Sequence, residues 1–112
     1  YQQPAIAQAS RQLADLQIAQ QQQKRQLEAD LLAAMDTLKT LQQRQMLLKE
    51  QYAVSQQYVD MQQRSFDMGG VDLTSFLRSQ EIADKHRHQL LQLEIEIQQQ
   101  IAQINQIAGR TL

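Results

Sequence analysis

The chain has 112 residues, room for one domain, and a net charge of −1 from 11 basic and 12 acidic side chains. That balance excludes the electrostatic footprint of a nucleic-acid binder or an anionic-membrane binder, and the lack of Cys excludes disulfides and thiolate metal sites. Three glycines, one proline, 4% aromatics and glutamine at roughly a quarter of the chain describe long polar helices rather than a thick core.

From the N-terminus, Pro4 suits the first turn of a helix, where its missing N–H costs nothing. Nothing between Pro4 and Met68 stops that helix, which predicts a rod of roughly 95 Å at ~1.5 Å per residue. Its apolar residues follow 3-4 spacing: Ile6, Ala9, Leu13 and Leu16, then Gln20 and Gln23. The seam continues through Leu27, Leu31, Ala34, Leu38, Leu41, Gln45, Leu48, Tyr52, Ser55, Val59, Gln62 and Phe66. Two successive four-residue steps, Gln23 to Leu27 and Leu27 to Leu31, make one stutter, which locally unwinds a left-handed supercoil. A second stripe, Leu47, Val54, Met61 and Met68, lies on another face. A helix with one neighbour needs one stripe; a helix in a wall of helices needs two.

Gly69-Gly70, the only double glycine, is the predicted turn. Asp72 then serves as N-cap, with Ser75 three residues on. A second helix of roughly 55 Å is predicted from about Leu73 to Ala108, with Gly109 as its stop. Leu90, Leu93, Ile97, Ile101 and Ile104 form one seam, and Leu91, Ile95 and Ala102 another. The run Leu93 to Ile97 alternates like a strand, but uninterrupted helical pattern on both sides makes it helix. The glutamine clusters, Gln20 to Gln23 and Gln98 to Gln100, are short and sit in heptads, so they read as hydrated helix faces rather than a low-complexity tract. The predicted fold is therefore all-α: one antiparallel coiled-coil hairpin over residues 1–112, with unequal arms of about 4–68 and 73–109. Folding about Gly70 sets Leu31 against Gly109, so residues before about Asp30 have no partner within the chain. That unpaired seam, Ile6 to Leu27, predicts self-association.

No constellation for catalysis is present. Glu94 and Glu96 stand two apart, so a helix points them roughly 200° apart, and no nucleophile–base pair or phosphate cradle accompanies them. His86 and His88 face the same geometric obstacle to sharing one ion. Asp84 and His88, at i and i+4, form only a weak metal pair. Solvated surface positions are the expectation for both histidines. No apolar run approaches the ~20 residues that span a bilayer. With no signal peptide and Tyr1 at its start, the chain is expected to be part of a longer protein.

The turn carries a resemblance. Phe66-Asp67-Met68-Gly69-Gly70-Val71-Asp72-Leu73-Thr74-Ser75-Phe76-Leu77 resembles the hairpin tip of the TolC-like outer-membrane efflux channels. There an aromatic residue, two residues and a Gly precede a short polar turn and an apolar-rich helix start. The Asn105-Gln106-Ile107-Ala108-Gly109 ending and the long helix before the turn are similar too. The resemblance covers nearly the whole chain, as the second of two coiled-coil repeats in a protomer. Gly69-Gly70-Val71-Asp72-Leu73, Leu77-Arg78 and Asn105-Gln106 look most similar to the heavy-metal efflux branch.

The resemblance implies a homotrimeric transport channel with an outer-membrane β-barrel and a periplasmic helical barrel. It implies no enzyme and no cofactor. The tip, Met68, Gly69, Gly70, Val71, Asp72 and Leu73, would dock to a periplasmic adaptor serving an inner-membrane pump. Ser75 and Arg78 would occupy the entrance-constriction positions, where the family's founding member has two aspartates. Their replacement removes the acidic ring, so no cation gate is carried over. The alternatives are the coiled-coil hairpin of the adaptor itself, whose two arms should be similar in length, and a generic structural coiled coil.

Overall fold

The computed structural model describes residues 3–111, with side chains through Arg110. Two helices account for nearly all of them: α1, Gln3–Asp67, with 65 residues, and α2, Leu73–Thr111, with 39. Among the described residues there is no strand, and the fold is an all-α helical hairpin. The arms are unequal, as the glycine position requires. The prediction that Gly109 stops α2 is corrected: the helix passes through it to Thr111. Gly109 does not take positive φ, and an isolated glycine in a helix costs only about 1 kcal/mol.

Contacts along the backbone divide the chain into two units. One comprises Tyr1–Asp36 and Ala102–Leu112, the other Thr37–Ile101. In the first unit, every residue from Gln3 to Gln26 is exposed, and cover begins at Leu27. Leu27 and Leu31 are half-buried and Ala34 is buried; from α2, Ile104, Ile107 and Ala108 are half-buried. The expectation that the chain before about Asp30 finds no intrachain partner holds to within one turn.

In the second unit the seam of α1 continues through Leu38, Leu41, Gln45, Leu48, Tyr52, Ser55, Val59 and Gln62, all buried or half-buried. Those are the residues whose spacing predicts them. The last step differs. Ser65 is the half-buried residue there, while Phe66 stays 37% exposed and stacks its ring on Phe76, with centroids 5.7 Å apart and planes within 12°. Aromatic stacking across the turn takes Phe66 out of the heptad and joins the two helix ends.

In α2, Leu90, Leu93 and Ile97 lie in the seam as predicted. The seam also reaches nearer the turn, through Phe76, Ser79, Ala83 and His86. Leu93 is only 3% exposed, and burying such a side chain is worth about 1.5–3 kcal/mol. Ser55, Ser79 and Ala83 are all buried, so small residues occupy several of the layers nearest the turn. The second stripes behave otherwise. Leu47, Val54, Met61 and Met68 on α1, and Leu91 and Ile95 on α2, are exposed. Among the described residues, no helix is long and apolar enough to cross a membrane.

Candidate docking site

Helix α1 ends because Gly69 enters the left-handed region at φ 78°. The Gly70 N–H donates to the Ser65 carbonyl at 2.7 Å and the Gly69 N–H to the Phe66 carbonyl at 2.9 Å. This pair of bonds is a Schellman motif, which satisfies two carbonyls that the helix end would leave bare. Arg64 in the last turn opposes the negative end of the helix dipole. The two glycines have different duties. Gly69 supplies the positive φ. Gly70 supplies closeness, since a Cβ there would stand 2.9 Å from the Ser65 Oγ and 3.3 Å from its carbonyl oxygen.

Helix α2 begins as predicted. The Ser75 N–H donates to Asp72 Oδ1 at 2.8 Å, and the Phe76 N–H donates to the Asp72 carbonyl at 3.2 Å. Asp72 is thus the N-cap. Hydrogen bonds from the Ser75 hydroxyl and backbone N–H hold the Asp72 carboxyl below the ordinary aspartate value; desolvation opposes them, and the charge of Arg78 adds a lesser contribution in their favour.

Between these two caps the turn displays apolar side chains. Met68 is 85% exposed and Leu73 53%, while Val71 is half-buried. Hydrogen-bonded glycines and a charged cap fix the backbone that carries them. The structure therefore brings Met68, Gly69, Gly70, Val71, Asp72 and Leu73 into one short rigid turn. Ser75 and Arg78 are exposed on the first turns of α2.

One functional-looking residue departs from expectation. His86 is not a solvated surface residue; it is half-buried in the seam, bonded through Nδ1 to Ser55 Oγ. The same Ser55 hydroxyl also donates to the Gln51 carbonyl at 2.9 Å. A His reads as polar in any hydropathy pattern, but its spacing of four residues before Leu90 and seven before Leu93 was the available signal. His88 is exposed and bonds to Gln92 Nε2 at 3.3 Å. The two histidines thus lie in different environments. Among the described residues no group of three or more His, Asp or Glu is placed to hold a metal. Gln62, also in the seam, keeps a buried Oε1 without a hydrogen-bond partner.

The seam is flanked by two unlike grooves. One is lined by Leu47, Val54, Tyr58 and Ile82, with Gln51 and Glu50 at its edge. The other carries Gln56, Asp60, Gln80, Asp84 and Arg87 around Tyr52. No family model, curated protein or solved structure matches the chain.

Proposed function

We propose that this chain is a periplasmic helical-barrel segment of a trimeric outer-membrane efflux channel of the TolC-like class. Its tip, Met68 to Leu73, docks to the periplasmic adaptor of a tripartite pump. The heavy-metal efflux branch is the nearest in motif. The observation that carries the reading is the tip itself. A solvated turn has no need of Met68 at 85% exposure beside Leu73, held on a backbone fixed by a Schellman motif on one side and an N-cap on the other. Rigid apolar projections lose little entropy on docking. No catalytic role is assigned to any residue.

The second reading is the adaptor's own coiled-coil hairpin. The two readings differ in what the tip meets: a channel tip meets an adaptor, and an adaptor's hairpin tip meets a channel. Efflux complementation with a full-length channel carrying this segment tests the proposal. Val71→Glu with Leu73→Glu should abolish efflux while outer-membrane trimer levels stay normal. Full efflux from that double variant would reduce the tip to a hairpin cap.

A further inference from the structure

The two caps of the turn fix two separate pieces of backbone. The Met68, Gly69 and Gly70 N–H groups donate back to the Arg64, Phe66 and Ser65 carbonyls of α1. The Ser75 and Phe76 N–H groups donate to Asp72, at the start of α2. Each of these bonds stays on its own side of the link between Gly70 and Val71. Met68 therefore moves with the end of α1 and Leu73 with the start of α2, yet a docking partner meets both side chains at once. The seam near the turn includes the small Ser65, Ser79 and Ala83, so it grips the two helix ends weakly. We propose that the stacked pair Phe66 and Phe76 positions the docking tip, by locking the piece that carries Met68 to the piece that carries Leu73. This rests on the docking reading of the turn.

Three observations carry it. The first is the stack. One ring comes from each helix, and the centroids lie 5.7 Å apart with planes within 12°. That is inside the roughly 4.5–7 Å at which offset aromatic pairs attract. Swinging one helix end relative to the other pulls the rings apart. The second is where the rings are anchored. The Phe66 carbonyl accepts the Gly69 N–H, and the Phe76 N–H donates to the Asp72 carbonyl. The Ser79 hydroxyl also donates to the Phe76 carbonyl. Both phenylalanines are thus parts of the caps, and a contact between their rings is a contact between the caps. The third is the placement of Phe66. Heptad spacing offers it the seam, but Ser65 is half-buried there and Phe66 stays 37% exposed. The hairpin end forgoes part of the burial a phenylalanine can contribute and keeps a contact that spans the turn. A tip held in this way has less freedom to lose when it docks.

Nitroxide labels on Asp67→Cys and Thr74→Cys read the geometry of the tip, since both positions are exposed and the chain has no Cys of its own. Electron paramagnetic resonance gives the spread of distances between them. Phe66→Leu and Phe76→Leu keep apolar bulk but each lose a ring. Both should widen the spread while circular dichroism shows the helices intact. Phe66→Tyr keeps a ring that can stack, so it should retain the narrow spread. In a full-length channel carrying this segment, the leucine variants should lower efflux about two- to tenfold at normal trimer levels, and Phe66→Tyr should match the parent. An unchanged spread in both leucine variants, a widened spread with full efflux, or a Phe66→Tyr that behaves like Phe66→Leu would each overturn the inference. Val71→Glu with Leu73→Glu, run beside them, separates that failure from failure of the docking reading. Lost efflux in the charged variant alone leaves docking standing and removes the stack from it. Full efflux in the charged variant removes both.

Discussion

Helix α1 contains two regions with the same apolar spacing and opposite fates. From Gln3 to Gln26 every position is exposed, although Ile6, Leu13 and Leu16 keep helical spacing. From Leu38 to Gln62 the same spacing puts each third or fourth residue under cover. The difference is not helix formation, since both regions are rich in Gln and both are helical. It is the presence of α2 alongside. Hydrophobic period fixes which face of a helix asks for a partner, and chain connectivity decides whether one arrives.

The largest effect that sharpens this contrast is a pair of truncations. Leu93→Ala removes a side chain that is nearly sealed in the seam. It should cost about 2–4 kcal/mol by lost burial and a residual cavity. Leu16→Ala, in the exposed region, should fall within about 0.5 kcal/mol for the monomer. Its effect should appear instead as weaker self-association, because Leu16 belongs to the seam that lacks an intrachain partner. Thermal melts at several concentrations separate the two. Equal destabilisation of the monomer by both variants would break the contrast.

The turn comes next in size. Gly69→Ala forces a β-carbon into φ 78° and should cost about 1–2 kcal/mol. Gly70→Ala meets a different obstacle: the new methyl group would press on the Ser65 hydroxyl and carbonyl. Adding Ser65→Ala should ease Gly70→Ala, since the nearest clashing atom is the Ser65 Oγ. The same addition should do nothing for Gly69→Ala. Chemical denaturation of the four variants checks this. Rescue of both glycine variants, or of neither, would show that the two glycines do not have the separate duties described.

Much of this architecture was legible in the sequence because it depends on local rules. The glycine pair, the Asp72 cap and the 3-4 spacing from Leu27 to Gln62 need only periodicity and capping chemistry. What was missed needed knowledge of the partner helix. Phe66 matched the heptad, but a ring on the facing helix, Phe76, offered a better contact. Ser79, Ala83 and His86 lie in the seam, yet small or polar side chains give no hydropathy signal. Ser79 settles its hydroxyl locally, on the Phe76 carbonyl at 2.6 Å. His86 bonds across the seam to the Ser55 hydroxyl. The tip was legible as a turn with exposed apolar residues, while the difference between the two grooves emerged only once both helices were in place.

The smallest expected effect is a pH dependence at the tip. Hydrogen bonds from Ser75, with the charge of Arg78, hold the Asp72 carboxyl below its ordinary value. A group whose folded pKa is depressed stabilises the fold above its unfolded pKa and loses that contribution as pH falls through the folded value. The cap should therefore be at full strength near neutrality. It should weaken from about pH 4 downward, where free aspartate begins to take up a proton, and be gone once the folded carboxyl itself is protonated. Asp72→Asn keeps a side-chain oxygen to accept the Ser75 N–H but cannot titrate. The gap in melting temperature between the parent chain and Asp72→Asn should thus be flat from about pH 7 to pH 5 and shrink below about pH 4. Because the carboxyl is solvent-exposed, salt should reduce the part due to Arg78 more than the part due to the hydrogen bonds. A gap that stays constant down to about pH 2.5 would mean that Asp72 caps α2 without its charge contributing.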